Sequence, residues 1–307
     1  MSLDYDQGTG RPVDRLQRIA AGTIVVGVAV LAMKAAAWWL TGSAALYSDA
    51  LESVVNVVAS GIAFGALRVA ARPADANHPY GHQKAELFSA AIEGGLIIVA
   101  ALSILDHAWL TWRDPVVFVA PWLALSLTAA STAINGGWAA RLMRVGRADR
   151  SPALIADARH LYSDVVTSVG ILGGLGIVLA TGLHWLDPIL AAATAIHVLW
   201  SGFTVIRGSV GGLMDEAPDG GTMDRIRAAV NAHAAGAIEA HDLRTRHAGR
   251  YTYLEFHLVV PGTMRVDEAH AICDRVEAAL QAEVQGLIVT IHIEPEGKAK
   301  HRGVLVL

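Results

Sequence analysis

The sequence predicts a membrane protein in which six transmembrane α-helices are followed by a cytoplasmic α+β domain of order αββαβ. Three observations carry that prediction. The 307 residues are 53% hydrophobic and only 17% charged, with mean hydropathy +0.42, against the roughly 25% charged residues of ordinary soluble domains. Apolar segments of spanning length recur six times before Gly212. Beyond Gly212 the pattern changes, since all eight tryptophans precede it and the remainder alternates polar and apolar residues.

Residues 1–18 are polar and carry Arg11, Arg15 and Arg18. They read as a cytoplasmic N-terminal segment. The apolar run that follows lacks a small-residue cleavage site, so it reads as a membrane helix and not as a removed leader. That run, 19–40, and the segments 44–68, 86–112, 117–141, 153–181 and 187–210 each approach the ~20 residues that cross ~30 Å of hydrocarbon. Together they define a six-helix domain over residues 19–212. Basic residues orient it: Arg68, Arg72 and Lys84 flank the connection after the second span, and Arg141, Arg144, Arg147 and Arg150 crowd the one after the fourth. The opposite connections hold only Arg113, which puts both chain ends in the cytoplasm. Trp39, Trp109, Trp112, Trp122 and Trp185 sit at the expected outer ends as an aromatic belt. The protein is therefore expected as a multi-pass component of the inner (plasma) membrane, with the lipid bilayer as its surroundings.

Residues 213–296 form the cytoplasmic domain. Thr222–Ala235 and Val266–Val284 have helical spacing, Ile238–His247 and Tyr251–Val260 read as strands around the turn signal Ala248-Gly249, and Leu287–Ile293 is β-rich. Residues 297–307 are a C-terminal tail.

A net charge of −4 leaves no basic footprint for phosphate backbones, so nucleic acid is excluded as a partner. The single cysteine, Cys273, excludes an internal disulfide and any cysteine-based zinc module. Metal, if bound, falls to carboxylates and the 13 histidines. No HExxH motif or activated nucleophile can be assembled, which disfavours an intramembrane metalloenzyme.

Ionisable residues inside a span cost at least ~2.5 kcal/mol and so mark function. The second span contains Asp49, Glu52 and Asn56, and the fifth contains Asp157, His160 and Asp164. Glu52/Asn56 and His160/Asp164 are i,i+4 pairs, each on one helical face. At ~1.5 Å per residue the first pair lies ~12–18 Å below the outer end of its span and the second ~11–17 Å above the inner end, so both reach the midplane. Four oxygen and nitrogen donors from two facing helices suit a tetrahedral divalent cation. The bland alternative is a pair of interhelical hydrogen bonds. Asp49 and Asp157 extend the same faces by one turn and are candidate relays, with solvated interfacial carboxylates as the plainer reading. Lys34, Glu93 and His197 look isolated. Gly61 and Gly65 form a small-xxx-small pattern suited to close helix approach.

The loop after the second span reads Asp75-Ala-Asn-His78-Pro-Tyr-Gly-His82-Gln-Lys84. Asp75, His78 and His82 are closely spaced donors that Pro79 and Gly81 can bend into a cage, with solvated loop histidines as the plainer reading of these residues alone. In the cytoplasmic domain, His241, His257 and His292 fall one on each strand, His270 lies on the second helix, and Glu294 shares a strand face with His292. One histidine per strand favours a shared metal surface, which a second chain can complete, with ordinary surface histidines as the alternative reading.

These motifs resemble the cation diffusion facilitator family, most closely its bacterial zinc- and iron-exporting members. The resemblance rests on Ser48-Asp-Ala-Leu-Glu-Ser-Val-Val-Asn, Asn77-His-Pro-Tyr-Gly-His-Gln-Lys-Ala-Glu, His160-Leu-Tyr-Ser-Asp and His241-Asp-Leu-Arg-Thr-Arg, and covers nearly the whole chain. It implies a ferredoxin-like cytoplasmic domain and a homodimeric antiporter, not an enzyme, that exports divalent metal in exchange for protons. Its transport site falls on Glu52, Asn56, His160 and Asp164, and its loop site on Asp75, His78 and His82. Its cytoplasmic site falls on His241, His257, His270, His292 and Glu294. Lys84 matches a lysine of a dimer-contact salt bridge, with Asp215 as partner. Divalent metal is then both substrate and regulator: zinc foremost, with iron, manganese, cobalt and nickel open. Glutamate followed by asparagine replaces the aspartate or histidine followed by aspartate of many relatives, so Asn56 lowers the site's charge.

The expected mechanism is capture of the cation by deprotonated Glu52, His160 and Asp164 with Asn56, then outward exposure and protonation. Proton coupling rests on His160, Asp164 and Glu52, and His160 is the natural coupling group because imidazole titrates nearest neutral pH. The competing class is a non-transporting membrane metal sensor that signals through its cytoplasmic domain.

Overall fold

A computed structural model describes residues 13–114, 118, 120–148, 152–248, 251–300 and 304–305. Six long helices come first: α1 (Val13–Thr41), α2 (Ala44–Ala70), α3 (Ala85–Arg113), α4 (Pro121–Ala148), α5 (Pro152–Thr181) and α6 (Leu186–Leu213). Then come α7 (Gly220–His233), β1 (Glu239–Ala248), β2 (Tyr251–Val260), α8 (Val266–Glu283), β3 (Leu287–Pro295) and β4 (Val304–Leu305), with a 3-10 turn at Glu296–Lys298 before the last strand. The order αββαβ is as expected, and the tail adds the short β4.

The chain divides into two compact units, residues 1–62 with 92–204, and residues 63–91 with 205–307. The second unit thus takes in the α2–α3 connection as well as the expected cytoplasmic domain. The reason is visible within that unit: Tyr253 Oη donates to the Tyr80 carbonyl at 3.2 Å, and Lys84 Nζ meets Asp215 Oδ1 at 2.8 Å.

In the first unit the helices meet through small residues, as membrane helices do when dispersion and close approach replace the hydrophobic drive. Ala44, Ile104, Ala108, Ala191 and Ala195 join α2, α3 and α6, while Ile19, Leu142 and Ala158 join α1, α4 and α5. Among the described residues five helices are long and apolar enough to cross a membrane. The six-span expectation differs at α4, which at 28 residues has the length but carries more polar groups. Its Thr128, Ser131, Thr132 and Asn135 are buried, and Ser131 Oγ and Thr132 Oγ1 donate to the Thr128 carbonyl. Polar groups that face the bundle and bond internally are the kind a spanning helix tolerates.

Helix ends follow from capping. Gly42 and Gly182 adopt φ of 68° and 71°, the left-handed region open to glycine. Their N–H groups close α1 and α5 on the Trp38 and Val178 carbonyls. The cap of α2 comes from another helix. Asp187, in the first turn of α6, accepts from Ser43 Oγ (2.5 Å), Ala44 N (2.7 Å) and Ala45 N (3.1 Å). Gly61 and Gly65 have open space where a Cβ would stand, so the small-xxx-small pattern makes no close approach among the described residues.

The sheet of the second unit has order β3-β2-β1-β4. β1 pairs antiparallel with β2 and β4, and β2 pairs parallel with β3. One face packs Leu254, Phe256 and Leu258 against Ile226, Val230, Ile272, Val276 and Leu280 of α7 and α8. Strand alternation therefore turns His257 to the opposite face. Asp219 caps α7 by accepting from Thr222 N at 2.8 Å.

Candidate metal sites

The register of the sheet turns one histidine per strand into a row. His241 stands opposite His257 across β1 and β2, and His257 opposite His292 across β2 and β3. Their rings lie 5.3 and 5.0 Å apart. Glu294, two residues beyond His292 and so on the same face, closes the row. Its Oε2 is 3.3 Å from His241 Nε2, and its Oε1 is 3.4 Å from His257 Nδ1 and 4.0 Å from His292 Nε2. Behind them Glu239, 1% exposed, sits 3.4 Å from His241 Nδ1, the place of an outer carboxylate that orients a metal-binding imidazole. Donor atoms of His241, His257 and Glu294 lie within 4.8 Å of one another. The buried His241 nitrogens and His257 Nδ1 have no hydrogen-bond partner, an unusual cost that a bound cation would offset.

His270 is not brought to this group. It lies on α8, on the helix-covered side of the sheet, and its exposed ring pairs with Asp274 at 3.1 Å. Glu239 was not anticipated, because an alternating strand gives no sign that a carboxylate two residues before His241 will be buried.

Asp75, His78 and His82 form the second group with donor atoms within 4.8 Å. Asp75 Oδ1 is 3.2 Å from His78 Nδ1, Oδ2 is 3.4 Å from His82 Nε2, and the two rings are 4.3 Å apart. The backbone N–H of His78 holds the Asp75 carboxyl below the usual carboxylate range, so it stays a charged donor. The loop is fastened beside β1 and β2 by Arg246, whose guanidinium lies 4.6 Å from the Tyr80 ring and 4.5 Å from the Tyr253 ring.

In the helical unit α2 and α5 meet at the two i,i+4 pairs. Asn56 Nδ2 donates to Asp164 Oδ2 at 2.8 Å. Glu52, Asn56, His160 and Asp164 line one cavity of about 60 Å³ with His197, Ser163 and Ser201. Glu52 Oε2 is buried with no hydrogen-bond partner. Among the described residues, the three ionisable groups are not drawn within 4.8 Å as the other two sets are. The amide instead occupies the Asp164 oxygen that a cation would take. His197, read as isolated, is part of this cavity wall.

Two readings are corrected here. Lys34 is not isolated, and Asp49 is not a solvated interfacial carboxylate: each side chain is 1% exposed and they pair at 2.8 Å. Ser168 Oγ of α5 donates to the same Asp49 Oδ1 at 2.7 Å. Fifteen residues separate the partners, beyond any single-helix periodicity. The side chain of Asp157 lies outside the described residues.

The model of the cation efflux transmembrane domain matches residues 21–214, and that of the cation efflux protein cytoplasmic domain matches residues 218–296. An uncharacterized transporter of Synechocystis sp., sll1263, is 39% identical over 89% of this chain and 88% of its own length. Cation-efflux pump FieF of Cronobacter sakazakii is 31% identical over 96% of this chain and 95% of its own. A structure of CzrB, a candidate zinc transporter, in a zinc form is 49% identical, covers 28% of this chain and 98% of its own, and has a TM-score of 0.27.

Proposed function

Because the chain belongs to the cation efflux family, a family of membrane transporters, we propose that it is a proton-coupled antiporter exporting divalent metal from the cytoplasm across the inner (plasma) membrane. Zinc is the first candidate, with iron, manganese, cobalt and nickel open, since one imidazole and three oxygen donors do not choose among them. The observation that carries the reading is the Asn56–Asp164 hydrogen bond, which joins the two mid-helix pairs at a single cavity. A mere packing contact would not need four polar residues around one cavity with a buried, unpartnered Glu52 oxygen.

In this mechanism Glu52, Asn56, His160 and Asp164 bind the cation. Asn56 first gives up Asp164 Oδ2 and turns its own carbonyl oxygen toward the ion, which is how a neutral residue serves as a ligand. Rearrangement then exposes the site outward, and protons taken by His160 and a carboxylate, Glu52 or Asp164, weaken the grip. Metal affinity must therefore fall with pH, as it does wherever ligands bind deprotonated.

The loop site and the sheet site serve as regulators. We assign the former to Asp75, His78 and His82, and the latter to His241, His257, His292 and Glu294, with His270 supplied from a second copy in a homodimer. Lys84 and Asp215 fasten the loop to the end of α6 and belong to the dimer-contact network. Both chain ends are cytoplasmic. Among the described residues the preassembled donor sets lie in the loop and the sheet, not between the long helices, and that is the observation favouring a non-transporting sensor. Reconstituted vesicles separate the two: zinc flux driven by a pH gradient supports the antiporter, and metal-dependent rearrangement without flux supports the sensor.

A further inference from the structure

We propose that Lys34 is a tethered cation that alternates between Asp49 and Glu52, holding Asp49 while Glu52 is open to metal or binds it, and taking Glu52 as the metal leaves outward. The inference rests on the transport reading above and adds a positioning residue to it. A lysine buried in an apolar helix is costly, and its ammonium is retained only with a paired anion. Here that anion is Asp49, at 2.8 Å, with Ser168 donating to the same oxygen at 2.7 Å. Ser168 stands four residues after Asp164, and Asp49 three before Glu52, so the assembly lies one helical turn beyond the proposed transport site on both α2 and α5.

Neither carboxylate is fully used. Asp49 Oδ1 receives Lys34 and Ser168, while Asp49 Oδ2 is buried without a partner. Glu52 Oε2, next along the same helical face, is buried and unpartnered as well. Residues i and i+3 place their Cβ atoms about 5–6 Å apart, within the sweep of a lysine's four-carbon stem. A fixed ion pair would saturate one carboxylate and leave no reason for the second orphan oxygen. A mobile ammonium serves both, and its arrival at Glu52 blocks return of the exported ion.

The test uses the full chain with zinc as probe. Flux in proteoliposomes gives KM and kcat, and equilibrium dialysis gives the affinity of the zinc ion that is lost in Asp164→Ala. In Asp49→Asn the freed ammonium settles on Glu52, so this affinity falls about tenfold and KM rises to match. The double variant Lys34→Met/Asp49→Leu replaces the pair by apolar groups, an exchange that buried pairs tolerate without loss of folding. It is expected to bind zinc as wild type does while kcat drops about tenfold. Wild-type affinity in Asp49→Asn, or wild-type kcat in the double variant, overturns the proposal. If Asp49→Asn does not fold, the double variant still decides. If the wild type carries no metal at all, the transport reading fails while the dialysis arm still decides whether Lys34 competes for Glu52.

Discussion

Replacing Glu294 by glutamine is expected to remove most of the metal-dependent stability of the three-strand histidine row. The Glu294 carboxylate oxygens reach His241, His257 and His292, at 3.3, 3.4 and 4.0 Å. Glutamine keeps the shape and one carbonyl oxygen but no charge. Outer partners of a metal already cost 10–100-fold when changed, so loss of this inner charge is set at about 100-fold. At free zinc a hundredfold above the wild-type Kd, linkage stabilises the folded domain by about 2.7 kcal/mol, and the variant, now at its own Kd, keeps RT ln 2, about 0.4 kcal/mol. The difference, about 2.3 kcal/mol, corresponds to roughly fiftyfold faster exchange of the best-protected amides. Hydrogen exchange of the full chain, read on peptides from β1 to β3 with and without zinc and compared between wild type and variant, measures it. Equal zinc-dependent protection in wild type and Glu294→Gln would refute the reasoning.

Asp187→Ala removes the acceptor shared by Ser43 and the first N–H groups of α2. A loss of about 2–4 kcal/mol is expected, seen as a lower Tm in detergent, and an unchanged Tm would count against the cap. Phe256→Ala, at a side chain 1% exposed in the sheet core, should cost about 3–5 kcal/mol and show as domain-wide loss of exchange protection in α7, α8 and the strands. Burial, helped by Asp274 and Glu277, raises the Cys273 thiol above its ordinary value. Folded protein should therefore alkylate more slowly at neutral pH than an exposed thiol and speed up as pH rises, and prompt labelling at pH 7 would contradict this. Asp75, lowered chiefly by the His78 backbone N–H, contributes to loop closure above the ordinary carboxylate range and loses that contribution only as pH falls through its lowered value. A carboxylate NMR titration should find its midpoint below that of a free aspartate, and a midpoint at or above it would contradict the sign.

What the sequence could reveal was set by the range of the interaction. Periodicity within one element found all six long helices, α2, α3, α5 and α6 to within about three residues and α1 and α4 only to within about seven, and the strands bearing His241, His257 and His292 nearly to their ends. It also found the i,i+4 pairs, because residues one turn apart share a face regardless of the rest of the fold. Partnerships between elements were invisible. Lys34 looked isolated because Asp49 lies on another helix, and the role of Asp187 went unseen because the helix it caps is distant in sequence. Register, which sets His241 opposite His257 and His257 opposite His292, depends on the irregularity between His241 and Arg244, where Asp242 takes a positive φ. His270 shows the converse limit. Its helix was read correctly, but which side of the sheet the helix covers is a tertiary fact. The polar stripe of α4 likewise makes sense only once α1 and α5 are seen to cover it.

The central claim is that Glu52, Asn56, His160 and Asp164 carry divalent metal across the membrane against protons. Zinc flux into proteoliposomes under an imposed pH gradient, compared between wild type and Asp164→Ala, addresses it most directly. The account predicts flux that rises with the gradient in wild type and is abolished in Asp164→Ala. Flux that ignores the gradient, or that survives Asp164→Ala at full rate, would contradict it.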